Sequence, residues 1–204
     1  MHCRRTCTPA RHGRPSSRKP EGPSRSPPER CAPSWKKISM RLAEIPRPSA
    51  VFIDANIFVY HFTAMSDECT EFLGRVERGE LRGFTGQLLL LETAHRLMVL
   101  EALERGLPAG ANPAARLARR PDLIKRLSKY YFSVAKVAEM RVDALPLPPD
   151  FLARSQEYRQ AHGLLINDSL VPLQMREAGI SILASADAAF DRIPWIQRAA
   201  PSDI

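Results

Sequence analysis

From about residue 50 onward, short unbroken apolar runs alternate with longer stretches whose apolar positions recur every three to four residues. The runs at 50–54 and 180–184 are too short for core helices and lack polar alternation, so they predict strands buried on both faces of a sheet. Segment 81–84 predicts a further strand, as does 141–147, where Val142, Ala144 and Leu145 interleave with polar positions. Segment 193–199 predicts a last, edge strand with Pro194 at its start. Between these lie helical patterns. Ser66 starts one over about 66–79, with Asp67 and Glu68 in its first turn and Gly79 at its end. Thr85 caps a strongly apolar helix that runs to about Arg105 and is closed by Gly106 and Pro108. A loop or short helix begins near Pro113, and a helix covers 122–137. Another runs from Asp150 to about His162. The last, capped by Asn167 or Asp168, reaches Glu177, with Pro172 tolerated near its start. Strands alternating with helices imply a single three-layer α/β domain around a central, mainly parallel sheet. No internal repeat is present.

Composition divides the chain in two. Residues 1–48 hold 12 of the 30 Lys+Arg, 3 of the 22 Asp+Glu and 9 of the 18 Pro. Residues 49–204 therefore carry 18 basic and 19 acidic residues, a net of −1, so the overall +8 belongs to the leader and not to a basic globular surface. The leader's Arg, Pro and Ser cannot bury enough surface to offset ordering entropy, which predicts disorder over 1–48; Met40 is an alternative start. No secretory apolar core and no membrane-spanning run is present. Cys3, Cys7 and Cys31 lie in the leader, leaving Cys69 alone in the domain 49–204. An intradomain disulfide is thereby excluded, and a reducing, cytoplasmic setting is expected.

Both buried runs end near an acid. Asp54 follows Val51-Phe52-Ile53, and Asp187 lies three residues beyond Leu183-Ala184, where open α/β sheets place their chemistry. Glu92 interrupts an apolar helix after Leu88-Leu89-Leu90-Leu91, and Asp168 follows Leu164-Leu165-Ile166-Asn167. Each has an ordinary explanation alone: a turn for Asp54, an ion pair with Arg96 for Glu92, a helix cap for Asp168. Four acids set in apolar surroundings are expensive together unless a cation joins them. Asn56 is placed to steady Asp54 and Ser185 to steady Asp187, while Asp191 either extends the acidic set or ends a helix. Arg119, Arg120, Lys125, Arg126 and Lys129 stand near Tyr130, Tyr131 and Phe132, a mixture suited to an RNA backbone and unstacked bases, and equally to a solvated helix with its aromatics in the core.

Taken in order, Phe52-Ile53-Asp54-Ala55-Asn56, Thr85 with Glu92, Gly163-Leu164-Leu165-Ile166-Asn167-Asp168-Ser169-Leu170 and Ser185-Ala186-Asp187-Ala188-Ala189-Phe190-Asp191-Arg192 resemble the PIN-domain proteins, in particular the VapC-type toxins of toxin–antitoxin pairs. The resemblance runs from about Ala50 to Ile204. It implies a ribonuclease whose acids Asp54, Glu92, Asp168 and Asp187 bind Mg²⁺ or Mn²⁺, supported by Asn56 and Ser185. It also implies an RNA substrate and a small antitoxin partner; the apolar helix surfaces near 66–104 suit that partner or a homodimer contact. Ser185 stands where many members have Thr, keeping the hydroxyl, and 107–137 is longer and more basic than a minimal member needs. Two other readings share the residues: an aspartate-nucleophile phosphohydrolase, and a non-catalytic RNA- or protein-binding module on the same scaffold. The first lacks a second acid two residues after Asp54; the second would keep like charges together without use.

Overall fold

The computed structural model describes residues 40–204, so the expectations for residues 1–39 fall outside it. Six parallel strands form one sheet: β1 (Met40–Arg41), β2 (Ala50–Ile53), β3 (Arg82–Gly86), β4 (Val142–Leu145), β5 (Ile182–Ala184) and β6 (Gln197–Ala200). Their spatial order is β1-β6-β5-β2-β3-β4. Helices follow as α1 (Ala55–Phe62), α2 (Asp67–Glu77), α3 (Gln87–Glu104), α4 (Pro113–Leu117), α5 (Pro121–Ile124), α6 (Lys129–Glu139), α7 (Phe151–Arg154), α8 (Gln156–His162) and α9 (Ile166–Glu177).

The central strands are apolar throughout because both their faces are covered. Val51 and Ile53 of β2, with Ile182 and Ala184 of β5, enter a core shared with Ile57, Phe58, Phe72 and Val76 from α1 and α2. Phe52 and Leu183, one residue out of phase, enter the opposite core with Leu170, Leu173 and Met175 of α9. The period-two alternation of a strand thus divides one apolar run between two layers. A smaller third cluster packs Val99 and Ala102 of α3 against Leu117, Leu123 and Leu127, so the segment after α3 carries its own core.

The chain leaves β2 toward β3 and β4, then returns to place β5 on β2's other side. That reversal creates a crevice at the carboxyl ends of β2 and β5, where α/β sheets bind ligands. The predicted single α/β domain with a parallel central sheet is what the structure shows.

Several local expectations need correction. Met40–Arg41 pairs with β6, and Leu42 and Ile45 are fully buried, so the folded unit begins no later than residue 40 and not at 49. The Ile193–Ile196 stretch precedes β6, which is paired on both sides; the edges are β1 and β4. Thr85 lies inside β3 and donates its hydroxyl to the Ile53 carbonyl at 2.8 Å, so it ties two strands together and does not cap a helix. The helix expected over 122–137 is two helices, because buried Glu101 holds a new amino-terminus: its carboxylate accepts the Ser128 and Tyr130 amides at 3.1 Å each. The helix from Asp150 likewise breaks at Ser155. Helix α9 starts at Ile166 behind Leu165, so neither Asn167 nor Asp168 is its N-cap, and Pro172 falls in the second turn, where the Asp168 carbonyl forgoes its helical N–H partner.

Candidate active site

Asp54 is the residue after β2 and the N-cap of α1; its backbone amide still donates to Ala184 of β5 at 3.0 Å. Its carboxylate is therefore fixed by the sheet, only 8% exposed. Oδ1 accepts the Ala55 amide at 2.7 Å, and Oδ2 accepts both Asn56 Nδ2 and the Ser185 hydroxyl at 2.6 Å. Each carboxylate oxygen has two lone pairs, so Oδ2 is saturated and Oδ1 keeps one for something else.

The supporting residues are themselves held. Ser185 Oγ accepts from Asn56 Nδ2 at 3.2 Å and from the Asp187 amide at 3.0 Å, and Asn56 Oδ1 accepts the Ala186 amide at 3.2 Å. Arg198 of β6 donates to the Ser185 carbonyl at 3.1 Å while forming a two-bond fork with Asp191 at 2.9 and 2.8 Å. Asp191 is thus absorbed in bracing the loop after β5 and does not extend the acidic set. Asp187 caps the short helical turn Ala188–Arg192 by accepting the Ala189 amide at 2.8 Å.

Asp54, Glu92, Asp168 and Asp187 line one open cleft of about 280 Å³, with Asn56, Tyr60, Leu89, Arg96, Val171 and Ala186 completing it. Glu92 comes from α3 and Asp168 from the first turn of α9, the helices that wall the crevice on its two sides. Gly86 at the junction of β3 and α3 leaves room for Gln174 of α9: a Cβ there would lie 2.5 Å from its Oε1, so that side chain would have to shift. Glu92 sits on the cleft rim at 41% side-chain exposure, with Arg96 at 3.7 Å, so it is less buried than its apolar neighbours suggested. His95 is exposed and lies outside the lining.

Electrostatically the cleft is strained. Burial pushes the Asp54 carboxyl up to about 6; the Ser185 and Ala55 hydrogen bonds resist that rise, and the nearby charges of Glu92 and Asp187 add to it. Asp168 is also raised, by burial first and by Asp187 second, against a weaker hydrogen bond from the Leu165 backbone. Among the described residues, no three His, Cys, Asp or Glu side chains stand close enough to enclose an ion as they are. Like-charged carboxylates keep apart without a counter-charge, and Mg²⁺ needs only one or two of them directly, with waters completing its shell. The donor set is all hard oxygen, carries excess negative charge and leaves a lone pair on a rigid Asp54. These residues fit Mg²⁺ or Mn²⁺.

Arg119, Arg120, Lys125, Arg126 and Lys129 are all exposed, and none lines the cleft. Lys129 pairs with Glu104 at 3.1 Å and Lys125 lies 3.8 Å from Asp122. Tyr60 and Arg96 are lining residues that sequence reasoning did not select. Arg96 was visible only as a helical neighbour of Glu92, and Tyr60 carried no signal at all.

Residues 51–196 match the family model of the PIN domain. No curated protein matches the sequence. Among solved structures, a VapC20 toxin of Mycobacterium tuberculosis, described as cleaving the sarcin–ricin loop, is 14% identical, with a TM-score of 0.48 over 72% of this chain and 97% of that one. The VapBC2 complex of Rickettsia felis bound to a promoter DNA fragment includes a chain that is 13% identical, with a TM-score of 0.46 over 74% and 98%.

Proposed function

This chain belongs to the PIN domain family, and from that premise we propose that it is a metal-dependent endoribonuclease, cleaving RNA phosphodiester bonds at the crevice between β2 and β5. The observation that carries the proposal is Asp54: a buried, rigidly held carboxylate with one lone pair uncommitted, sharing its cleft with three further acids, of which only Glu92 has a cation within ion-pair range among the described residues.

In this reading Asp54 is the fixed ligand of Mg²⁺ or Mn²⁺, and Asp168, Glu92 and Asp187 complete its surroundings directly or through water. The bound ion would supply an acidified water and neutralise charge on the phosphate. Asn56 and Ser185 stop the Asp54 carboxylate from rotating, so its oxygen stays aimed when the cleft fills. Asp168, with its raised proton affinity, is suited to take the proton of the attacking water. Leu89 and Val171 form an apolar side of the cleft that limits bulk water there.

RNA beyond the cleft would run over α5 and α6, where Arg119, Arg120, Lys125, Arg126 and Lys129 flank Tyr131 and Phe132. These two rings are exposed and edge-to-face, with centroids 5.4 Å apart. We assign the protein to the toxin role of a toxin–antitoxin pair in the cytoplasm, acting as a homodimer. The exposed apolar residues Leu91, Leu165 and Ile166, close in sequence to Glu92 and Asp168, offer a small antitoxin a surface beside the acids. Among the described residues no helix is long and apolar enough to cross a membrane.

Cleavage of defined RNAs by wild type and Asp54→Asn, with Mg²⁺, Mn²⁺ or chelator, tests the proposal. Wild type is expected to cut only with metal, and Asp54→Asn to lose roughly 10²-fold or more. Cutting that survives chelation, or an active Asp54→Asn, refutes it.

A further inference from the structure

We propose that Arg96 is the cleft's phosphate-binding residue, donating to the RNA backbone next to the metal-holding acids; this rests on the nuclease reading above. The first reason is charge. The cleft lining contains four carboxylates and, among the described residues, Arg96 as its one cation. With all four acids ionised and one divalent ion bound, the lining, Arg96 included, still carries a net charge of −1. A phosphodiester brings a further negative charge, so its approach depends on a cation aimed into the same space. Without Arg96 the deficit would be −2 before any substrate entered.

The second reason is that this guanidinium has donors to spare. Arg96 lies four residues beyond Glu92 on α3, about 6 Å along the helix axis. Its Nη1 is 3.7 Å from Glu92 Oε1, inside ion-pair range but beyond hydrogen-bond length, and Arg96 forms no hydrogen bond among the described residues. Two arginines of similar exposure are closed. Arg78 donates to Glu71 at 2.8 Å, and Arg154 lies 2.6 Å from Glu177. An uncommitted planar fork suits two oxygens of a phosphate, a geometry that a lysine ammonium does not reproduce.

The third reason is placement. Glu92 and Arg96 share one face of one rigid helix, so the helix presents a metal-side anion and a phosphate-side cation at a fixed separation. A phosphodiester held by Arg96 would have its phosphorus beside the acids without help from the basic residues around α5 and α6, which lie outside the cleft lining. Those residues would steer and retain RNA, whereas Arg96 would set the register of the scissile bond.

Binding of random-sequence single-stranded RNA oligonucleotides by Asp54→Asn, measured as a salt series in Mg²⁺, is compared with the same series for Asp54→Asn carrying Arg96→Ala or Arg96→Lys. Cleavage of the same RNA by wild type, Arg96→Ala and Arg96→Lys runs alongside. Loss of the contact should weaken binding by roughly 10-fold or more and flatten the slope of log affinity against log salt by about 0.7, the value for one phosphate contact on a single strand. Arg96→Lys should restore the slope but not the full cleavage rate. An unchanged slope with Arg96→Ala overturns the assignment, leaving Arg96 as a partner of Glu92 alone. A wild type that binds RNA yet never cuts it defeats the nuclease reading instead, and the slope still reports on Arg96.

Discussion

Asp54 and Glu101 are both buried carboxylates, 8% and 3% exposed, yet they are opposites. Burial raises Glu101's affinity for a proton too, but the amides of Ser128, Tyr130 and Lys129 and the Arg105 guanidinium, 3.1 Å away, more than offset it, so its carboxyl lies below the ordinary range. Its charge is consumed in starting α6. Asp54 has hydrogen bonds as well, but its other neighbours are acids, and its carboxyl stays high. Burial by itself therefore says little about chemistry. What separates a structural acid from a reactive one is whether its charge has a resident partner or awaits one.

The sharpest way to break this comparison is to exchange the two losses. Asp54→Asn should remove cleavage, by the 10²-fold or more expected above, without unfolding the protein, because deleting a desolvated charge offsets the hydrogen bonds lost where an amide replaces one accepting oxygen. Glu101→Gln should leave cleavage near wild type below the melting transition. A Glu101 variant as inactive as Asp54→Asn while still folded would erase the distinction. Stability gives the next largest effect. Glu101→Ala leaves the Ser128 and Tyr130 amides without their acceptor and should cost about 3 kcal/mol or more in urea unfolding, at roughly 1–3 kcal/mol for each buried donor left unpaired. A loss below about 1 kcal/mol, the size of a surface pair, would mean that α6 does not depend on this cap.

Acid titration separates the two sites by sign. The raised carboxyl of Asp54 contributes stability that is fully present below its ordinary 3.8 and is lost as pH rises through about 6. Without divalent ions, Asp54→Asn should therefore gain on wild type as pH climbs from 4 to 7, by on the order of 3 kcal/mol at most. The lowered carboxyl of Glu101 contributes stability present above its ordinary 4.5 and lost as pH falls through its folded value. The deficit of Glu101→Gln should thus be greatest at neutral pH and shrink in acid. Urea melts across this range should give opposite slopes, and parallel slopes would contradict the contrast. The smallest effect is the metal's: Mn²⁺ at about 100 times its Kd should stabilise wild type and Glu101→Gln by about 2.7 kcal/mol, and Asp54→Asn by much less. Equal shifts in melting temperature for all three would remove Asp54 from the ligand set.

Much of this architecture was legible beforehand. The unbroken apolar runs ending near Asp54 and Asp187 announced buried parallel strands, because a strand covered on both faces has no position left for polar side chains. Their trailing acids marked the edge where the cleft lies for the same reason: polar residues return where the strand leaves its cover. Local punctuation worked where partners were near in sequence, as at Ser66, which accepts the Cys69 amide, and at Gly79 with its φ of 76°. It failed where the partner was distant. Thr85 resembled a cap until Ile53, thirty-two residues away, accepted its proton. The segment 122–137 read as one helix because nothing within it records that Glu101, on another helix, holds Ser128 and Tyr130.

Residue order alone thus settled the layers, the parallel sheet and a short roster of acids, since periodicity and burial are properties of each segment. Only the folded chain decided that β5 returns to lie against β2, that Asn56 and Ser185 meet on one oxygen of Asp54, and that Asp191 is taken by Arg198. It also decided that Arg96 is the cation left facing the acids. Those outcomes depend on contacts between positions up to more than a hundred residues apart, whose distances and angles are set by packing and leave no periodic trace in the sequence.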